Sequence, residues 1–193
     1  MGKKLSKQIE KMDVNTTEFN MVGKSLDYLP ENIARFQKLK KLNVANNELT
    51  TLPPELAGCK ELTHLIAQNN RIRDIPQELT NFLKLEHIDL GINKLTALPK
   101  GYGSYPVLNV LELSYNDITD LTSQIGLLPT LRELYISFNK LTSIPPEIGR
   151  CTSLQIAVFA SNAITSIPIE MGNCTNLTRL DLTENNITLF PPQ

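Results

Sequence analysis

Residues 108–118, Leu-Asn-Val-Leu-Glu-Leu-Ser-Tyr-Asn-Asp-Ile, decide the fold of this chain. They reduce to the pattern L-x-x-L-x-L-x-x-N-x-I, which returns every 23 residues without insertion or deletion. A fixed period of this length indicates a solenoid, in which each unit packs only against its neighbours. Position 1 denotes the first residue of each unit, and the units begin at Thr16, Leu39, Leu62, Leu85, Leu108, Leu131, Leu154 and Leu177.

Apolar residues recur almost throughout at positions 1, 4, 6, 11, 14, 18 and 21 of the units. Around positions 4 and 6 the apolar and polar residues alternate, which is typical of a short strand. In the fifth unit this places Leu111 and Leu113 inward and Val110, Glu112 and Ser114 outward. Stacking of the units then aligns the strands into a parallel sheet.

Asparagine occupies position 9 in every unit except the first, which has Lys24. After the strand the chain turns inward and leaves backbone groups without ladder partners. A buried amide can donate to and accept from such groups in adjacent units. We therefore predict a ladder of buried asparagines at Asn47, Asn70, Asn93, Asn116, Asn139, Asn162 and Asn185.

Proline at position 15, usually followed by an acid, predicts a short helical or 3-10 turn on the convex side. The fifth unit has Thr122 instead, and we predict that Thr122 or Ser123 caps that turn. The fourth unit runs through Lys100–Tyr105 with two glycines, which predicts a looser turn. The prolines are Pro30, Pro53, Pro76, Pro99, Pro145, Pro168 and Pro191.

The three cysteines, Cys59, Cys151 and Cys174, all lie at position 21, an apolar column. This predicts small core residues. Their odd number and the lack of a secretory signal favour reduced thiols and a cytosolic compartment. Cys151 and Cys174 fall on neighbouring units, so a disulfide between them is the alternative.

The charge pattern bears on partners. The net charge is −1, which argues against nucleic acid, and no apolar run reaches the roughly 18 residues of a membrane span. The start Met1–Ser6 lacks the apolar core of a signal peptide. We therefore predict a cytoplasmic protein.

Residues 1–15 precede the repeats and contain a predicted amphipathic helix with Leu5, Ile9 and Met12 on one face. One interpretation is a cap over the first unit. The other is N-myristoylation, because Met-Gly-x-x-x-Ser makes Gly2 an acceptor and the nearby lysines would attract the inner leaflet of a membrane. At the other end, Phe190–Gln193 carries no polar cap, which predicts either a longer protein or pairing with another surface.

Outward positions 3, 5, 7 and 8 line the concave face, and they are polar at its ends but apolar in its middle. A patch of several hundred Å² of exposed apolar surface marks a binding site, and Tyr and Phe are efficient anchors. Asp89, Glu112 and Glu133 border the patch and favour a protein partner with Arg or Lys. The alternative is cross-strand packing that stabilises the sheet. The apolar residues are Ile66, Ile92, Val110, Tyr115, Tyr135, Phe138, Ile156 and Val158.

Enzymatic chemistry finds little support in the residues. His64 and His87, with Asp89 nearby, are a weak metal signal because no fixed ligand geometry accompanies them. No nucleophile–base pair and no glycine-rich phosphate loop is present. We predict no catalytic residue, metal or cofactor.

The repeat columns resemble the leucine-rich repeat family, seen as L-x-x-L-x-L-x-x-N-x-L-x-x-[LI]-P-x-E-[LI] over residues 16–193. The 23-residue period with Leu-Pro or Ile-Pro is similar to the intracellular Ras-group class. The resemblance implies an α/β solenoid with a curved parallel sheet on its concave face and short helical or 3-10 turns on its convex face. It also implies a non-enzymatic adaptor in Ras-linked or adhesion signalling. Similar repeats front larger enzymes, such as protein phosphatase 2C and adenylate cyclase fusions, so a targeting domain is the alternative.

Overall fold

Eight three-residue strands form one parallel sheet in chain order, and neighbouring strands pair in a register of 23 residues, as Val110 does with Glu133. The computed structural model describes residues 9–189. The predicted parallel-sheet solenoid is confirmed. The strands are β1 Glu18–Asn20, β2 Lys41–Asn43, β3 His64–Ile66, β4 His87–Asp89, β5 Val110–Glu112, β6 Glu133–Tyr135, β7 Ile156–Val158 and β8 Arg179–Asp181.

Seven 3-10 helices return the chain between the strands. Six of them begin directly after position 15, and the helix of the fourth unit begins two residues later. Pro53 and Pro145 therefore stand one residue before their helices, and Pro54 and Pro146 are the first residues of those helices. The short turns predicted from the prolines are therefore confirmed, one residue further along. The helices are η1 Glu31–Arg35, η2 Pro54–Gly58, η3 Gln77–Asn81, η4 Tyr102–Ser104, η5 Ser123–Leu127, η6 Pro146–Arg150 and η7 Ile169–Asn173.

The fourth and fifth turns depart from the others. Helix η4 has only three residues and follows Gly101, whose φ of 93° is a left-handed conformation that glycine adopts without strain. The looser fourth turn is thus confirmed. The predicted side-chain cap at Thr122 or Ser123 is wrong, because no side-chain hydrogen bond caps η5. The Thr122 carbonyl instead accepts the Ile125 N–H at 3.1 Å, so the backbone closes this tight turn by itself.

The asparagine ladder is confirmed as a set of hydrogen bonds, but it is buried only at Asn47, Asn70, Asn93 and Asn116, while Asn139, Asn162 and Asn185 are half-buried. Asn93 shows how it works. Its Oδ1 accepts the N–H of Ile72 in the preceding unit at 3.0 Å. Its Nδ2 donates to the carbonyls of Ala67 and Leu90, both at 3.0 Å, and to that of Gly91 at 3.2 Å. One buried amide therefore serves two units, where the irregular backbone has no sheet partners.

The cysteines are confirmed as core residues. All three are buried and free, so the alternative disulfide does not form. Burial raises the pKa of the Cys59 thiol to about 11 and makes it a poor nucleophile. Each Sγ lies 3.2–3.4 Å from a carbonyl oxygen in the preceding unit.

The two ends of the repeat array are described in part. Ile9 is fully buried, Met12 packs on the core, and Arg35 donates to the Glu10 carbonyl at 2.8 Å. In the last unit Leu180 is exposed. The predicted acylation site at Gly2 and the end at Phe190–Gln193 lie outside the described residues. Between residues 9 and 189 no helix has the length and apolar character to cross a membrane.

Candidate functional site

Position 8, three residues after each strand ends, has an unusual backbone in every unit. Ile92, Tyr115 and Phe138 have φ of 53°, 58° and 53°. Each of their N–H groups donates to a carbonyl of the next unit at 2.8–3.0 Å, which holds this conformation in place. The repeat therefore imposes a left-handed residue at this point whatever side chain stands there.

Bulky side chains at this position are unfavourable for folding. A left-handed backbone costs a residue with a Cβ about 1–2 kcal/mol, and a β-branched residue such as Ile92 is a genuine outlier there. Asparagine tolerates the conformation, and Asn46 and Asn69 occupy the same position in the second and third units. The middle units thus hold apolar residues where the backbone favours small polar ones.

These three bulky residues also face solvent. Ile92 is 48% exposed, Tyr115 52% and Phe138 45%. The rings of Tyr115 and Phe138 stack with centroids 4.3 Å apart and an interplanar angle of 8°. The three stand at the same position of consecutive units, just beyond β4, β5 and β6, and we call them the apolar ridge.

Replacing Ile92 by asparagine is expected to raise the free energy of unfolding by about 1 kcal/mol. The change relieves about 1–2 kcal/mol of backbone strain, and it loses little apolar burial because the Ile92 side chain is only half-buried. An asparagine at residue 92 could also add a further side-chain bond to the row in which Asn69 Nδ2 donates to Asn46 Oδ1 at 2.7 Å. Urea denaturation measures the change. As the control, Ile92→Val keeps the β-branched strain and should not gain stability. A clear loss of stability in Ile92→Asn would instead support the cross-strand packing interpretation.

The other predicted apolar residues flank the ridge at positions 3 and 5. Ile66, Val110, Tyr135 and Ile156 are half-buried and present one face outward. Val158 is only 9% exposed, so it contributes little surface. The structure thus brings the predicted residues together on β3–β7, with the ridge as their most accessible part.

Two predicted acids stand directly beside the ridge. Asp89 and Glu112 pair across β4 and β5, and both side chains lie over Gly91. A Cβ built on Gly91 would be 3.4 Å from Asp89 Oδ1 and 3.5 Å from Glu112 Oε1. Burial raises the pKa of both carboxyl groups, although a backbone N–H bond to each opposes the rise. The third acid, Glu133, accepts the Tyr135 hydroxyl at 2.9 Å.

The two histidines stack on the other side of these acids. The rings of His64 and His87 are 5.7 Å apart at 14°. Burial, and then the charge of His64, lowers the pKa of His87. Within residues 9–189 no group of three His, Cys, Asp or Glu side chains is placed to hold a metal ion.

Sequence reasoning missed Gly91 as a part of this site. Gly91 lies at position 7, where the neighbouring units have Gln68 and Ser114. The Asp89 and Glu112 side chains both lie over its backbone, in ordinary van der Waals contact with the place where a Cβ would stand. The signal available was that glycine stands at position 7 in this unit alone.

The stacked units with an open concave sheet define a solenoid repeat protein. The "Leucine Rich repeats (2 copies)" profile matches residues 37–81 and 60–105, and the "Leucine rich repeat" profile matches residues 83–141 and 129–187. These matches cover more than half of the chain. The chain belongs to the leucine-rich repeat family, whose domains are typical of protein–protein interaction.

Three solved structures show the fold in other proteins. A leucine-rich repeat protein of Leptospira interrogans is 35% identical with a TM-score of 0.84, covering 86% of this chain and 43% of its own. The functional domain of InlJ from Listeria monocytogenes, which includes a cysteine ladder, is 26% identical with a TM-score of 0.80, covering 92% and 37%. The ectodomain of the membrane receptor kinase GASSHO1/SCHENGEN3 from Arabidopsis thaliana, in complex with CASPARIAN STRIP INTEGRITY FACTOR 2, is 34% identical with a TM-score of 0.76, covering 82% and 20%.

The chain spans less than half the length of each of these structures. No curated protein sequence matches it.

Proposed function

We propose that this protein is a non-enzymatic interaction scaffold that binds a protein partner on its concave face. The observation that carries the proposal is the apolar ridge. Its three side chains are about half exposed, and they stand on a backbone that disfavours them. Residues that lower stability and face solvent are kept for what they contact, and strain of this kind concentrates at functional sites.

The ridge also has the chemistry of a binding anchor. Stacked aromatic side chains offer a large, rigid apolar surface with little conformational entropy to lose. The surrounding half-buried residues, Ile66, Val110, Tyr135 and Ile156, would exclude water around such an anchor. A structural neighbour, the GASSHO1/SCHENGEN3 ectodomain, was solved with a protein factor bound.

Changing Tyr115 and Phe138 together to asparagine is expected to weaken partner binding by about 30-fold or more, since even one hot-spot aromatic contributes 2 kcal/mol or more. Asparagine suits the left-handed backbone, so the fold should persist. The measurement is quantitative capture of partners on the immobilised chain, followed by titration of each captured protein.

The matched control is Leu127→Asn. Leu127 is 56% exposed, as much as Tyr115, and belongs to the same unit, but it lies in η5 on the convex side. A partner bound by the concave face should be lost from the ridge variant and kept by the control. Equal capture by both variants and the parent chain would refute the concave-face proposal.

The setting we favour is cytoplasmic, as an adaptor in small-GTPase, Ras-linked or adhesion signalling. The support is the 23-residue Leu-Pro repeat class, and the similarity of residues 85–119 to the Ras suppressor protein. Acylation of Gly2, aided by Lys3, Lys4 and Lys7, would bring the adaptor to the inner leaflet of a membrane. Mass spectrometry of the N-terminal peptide from eukaryotic cells tests this, and an unmodified Gly2 would remove the membrane association.

A second candidate is a targeting domain of a larger signalling enzyme, such as a protein phosphatase 2C or adenylate cyclase fusion. The observation in its favour is that the chain spans less than half of the length of the similar structures. In that case the concave face would still bind a protein, and catalysis would belong to another domain. The complete transcript separates the two candidates.

A further inference from the structure

We propose that the partner segment carries an arginine, whose guanidinium binds Asp89 and Glu112 together while a neighbouring apolar side chain packs on the apolar ridge. The inference rests on the proposed concave-face binding and names the chemistry of the partner. The two carboxylates lie close together, the charges at the ends of the face are already paired, and the ridge stands beside the carboxylates.

The two carboxylates share one place on the surface. Asp89 and Glu112 are paired in the register of β4 and β5, and both side chains lie within 3.5 Å of the same point above Gly91. The N–H groups of Gly91 and Ser114 donate to one oxygen of each, which fixes their orientation. A carboxylate has two oxygens and about four acceptor sites, so each retains acceptor capacity for an incoming donor.

The opposite charges at the two ends of the concave face are already paired. At one end Lys41 lies 3.6 Å from Glu18, and at the other end Arg179 lies 3.6 Å from Asp181. Among residues 9–189 no lysine or arginine forms an ion pair with Asp89 or Glu112. The middle of the face therefore holds two adjacent negative charges that a partner's cation would neutralise.

The groups around the pair do not supply that cation. His87 lies beside Asp89, but burial lowers its pKa and so disfavours the charged ring. Burial also raises the pKa of both carboxyl groups by more than the backbone hydrogen bonds lower it, so their charged forms are only partly compensated in the free protein. A bound cation would supply the rest of the compensation.

The ridge decides which kind of cation fits. Ile92 follows Asp89 by three residues and Tyr115 follows Glu112 by three, so acids and ridge are adjacent in both units. A ligand that satisfies both must carry charge and apolar surface side by side, as a protein segment does. The planar guanidinium of arginine presents five donors in a rigid fork and can bond two carboxylates at once, which an ammonium does less well.

The test begins with selection of a displayed library of random dodecapeptides on the full chain. We expect enriched peptides to share an arginine next to an apolar residue. Synthesis of the best peptide with citrulline in place of arginine, which keeps the shape but removes the charge, should weaken binding to the parent chain roughly 10- to 100-fold, as expected for hydrogen bonds to a charged group.

Against the double variant Asp89→Asn/Glu112→Gln, the arginine and citrulline peptides should bind equally. This variant keeps the acceptor oxygens for Gly91 and Ser114 and removes two charges that burial disfavours, so the fold should remain. The matched control is Asp181→Asn, which removes a charge from the same repeat position in β8 and should preserve the preference for arginine.

The outcomes separate the two proposals. Selected peptides that need Tyr115 and Phe138 but tolerate citrulline would overturn the arginine inference and leave the concave-face function standing. If no selected peptide depends on Tyr115 and Phe138, both proposals fail. A preference for arginine that persists in the double variant would place the cation elsewhere and overturn the inference.

Discussion

Replacing Asn93 by alanine is expected to lower the free energy of unfolding by about 4 kcal/mol, since it removes several buried hydrogen bonds and leaves a donor unsatisfied. Asn93 is only 3% exposed. Without the Asn93 Oδ1 the Ile72 N–H loses its hydrogen-bond acceptor. The carbonyls of Ala67 and Leu90 keep only their bonds from the neighbouring ladder residues Asn70 and Asn116. Thermal and urea denaturation both measure this loss.

The isosteric change Asn93→Asp separates the donor role from shape. A carboxylate still accepts the Ile72 N–H, but it faces the carbonyls of Ala67 and Leu90 with no hydrogen to offer. Its pKa would therefore be raised in the folded state, so the variant should be least stable at neutral pH and gain stability as the pH falls. A flat pH dependence would contradict the donor role.

The control for both variants is Asn81→Ala in η3. Asn81 is exposed and makes one long bond of 3.4 Å to the Glu78 carbonyl. Its replacement should change stability by no more than about 0.5 kcal/mol. If Asn93→Ala cost no more than this control, the ladder would not stabilise the turn.

The Asn93 result bears on function as well. Its Nδ2 holds the Gly91 carbonyl, and that residue lies between Asp89 and Ile92. Asn116 holds the Ser114 carbonyl in the same way at 3.4 Å, one residue before Tyr115. The asparagine ladder therefore holds the backbone segments that carry Asp89, Glu112 and the apolar ridge in position.

Replacing Gly149 by alanine is expected to lower the free energy of unfolding by about 3 kcal/mol, the upper range for overpacking a tight contact. A Cβ on Gly149 would lie 2.4 Å from the Glu170 carbonyl oxygen and 2.9 Å from the Glu170 Cβ. Backbone atoms cannot yield as a flexible side chain does, so helices η6 and η7 would have to separate. Urea denaturation of the variant checks the loss.

The chain offers a matched control in Gly172→Ala. Gly172 occupies the same repeat position in η7, but among residues 9–189 nothing lies within 4 Å of a Cβ built there. This change should be neutral or stabilise by about 0.5 kcal/mol, because alanine has less conformational freedom in the unfolded chain. Equal losses in both variants would show that backbone conformation, rather than contact between neighbouring turns, requires glycine.

Most of the fold was predictable because a repeat multiplies every local signal. The alternation around Leu111 predicted the inward face of β5, and the column of Cys59, Cys151 and Cys174 predicted buried thiols. The Thr122 cap was mispredicted, since a threonine before a turn signals a cap only where the turn leaves its first N–H groups open. In η5 the backbone carbonyl of Thr122 satisfies the Ile125 N–H instead.

The site was predictable as a set of residues but not as an arrangement. Position 8 already placed Ile92, Tyr115 and Phe138 on one face, because equal repeat positions align in a solenoid. Their left-handed backbone was not evident from the sequence, since only Gly23, Asn46 and Asn69 at the same position hint at it. The column of Gly103, Gly126, Gly149 and Gly172 at one position of η4–η7 was a signal for close contact between turns that the sequence prediction did not use.

The sequence by itself determined the solenoid, its parallel sheet and the residues on each face, because these follow from a 23-residue period and from alternation along the strand. The tertiary structure alone decided what neighbouring units do to one another. It stacked Tyr115 on Phe138, and it brought the Asp89 and Glu112 side chains together over Gly91. These contacts join residues about 23 positions apart in the sequence. Their distances are set by how the units stack, and a sequence pattern within one unit carries no information on that.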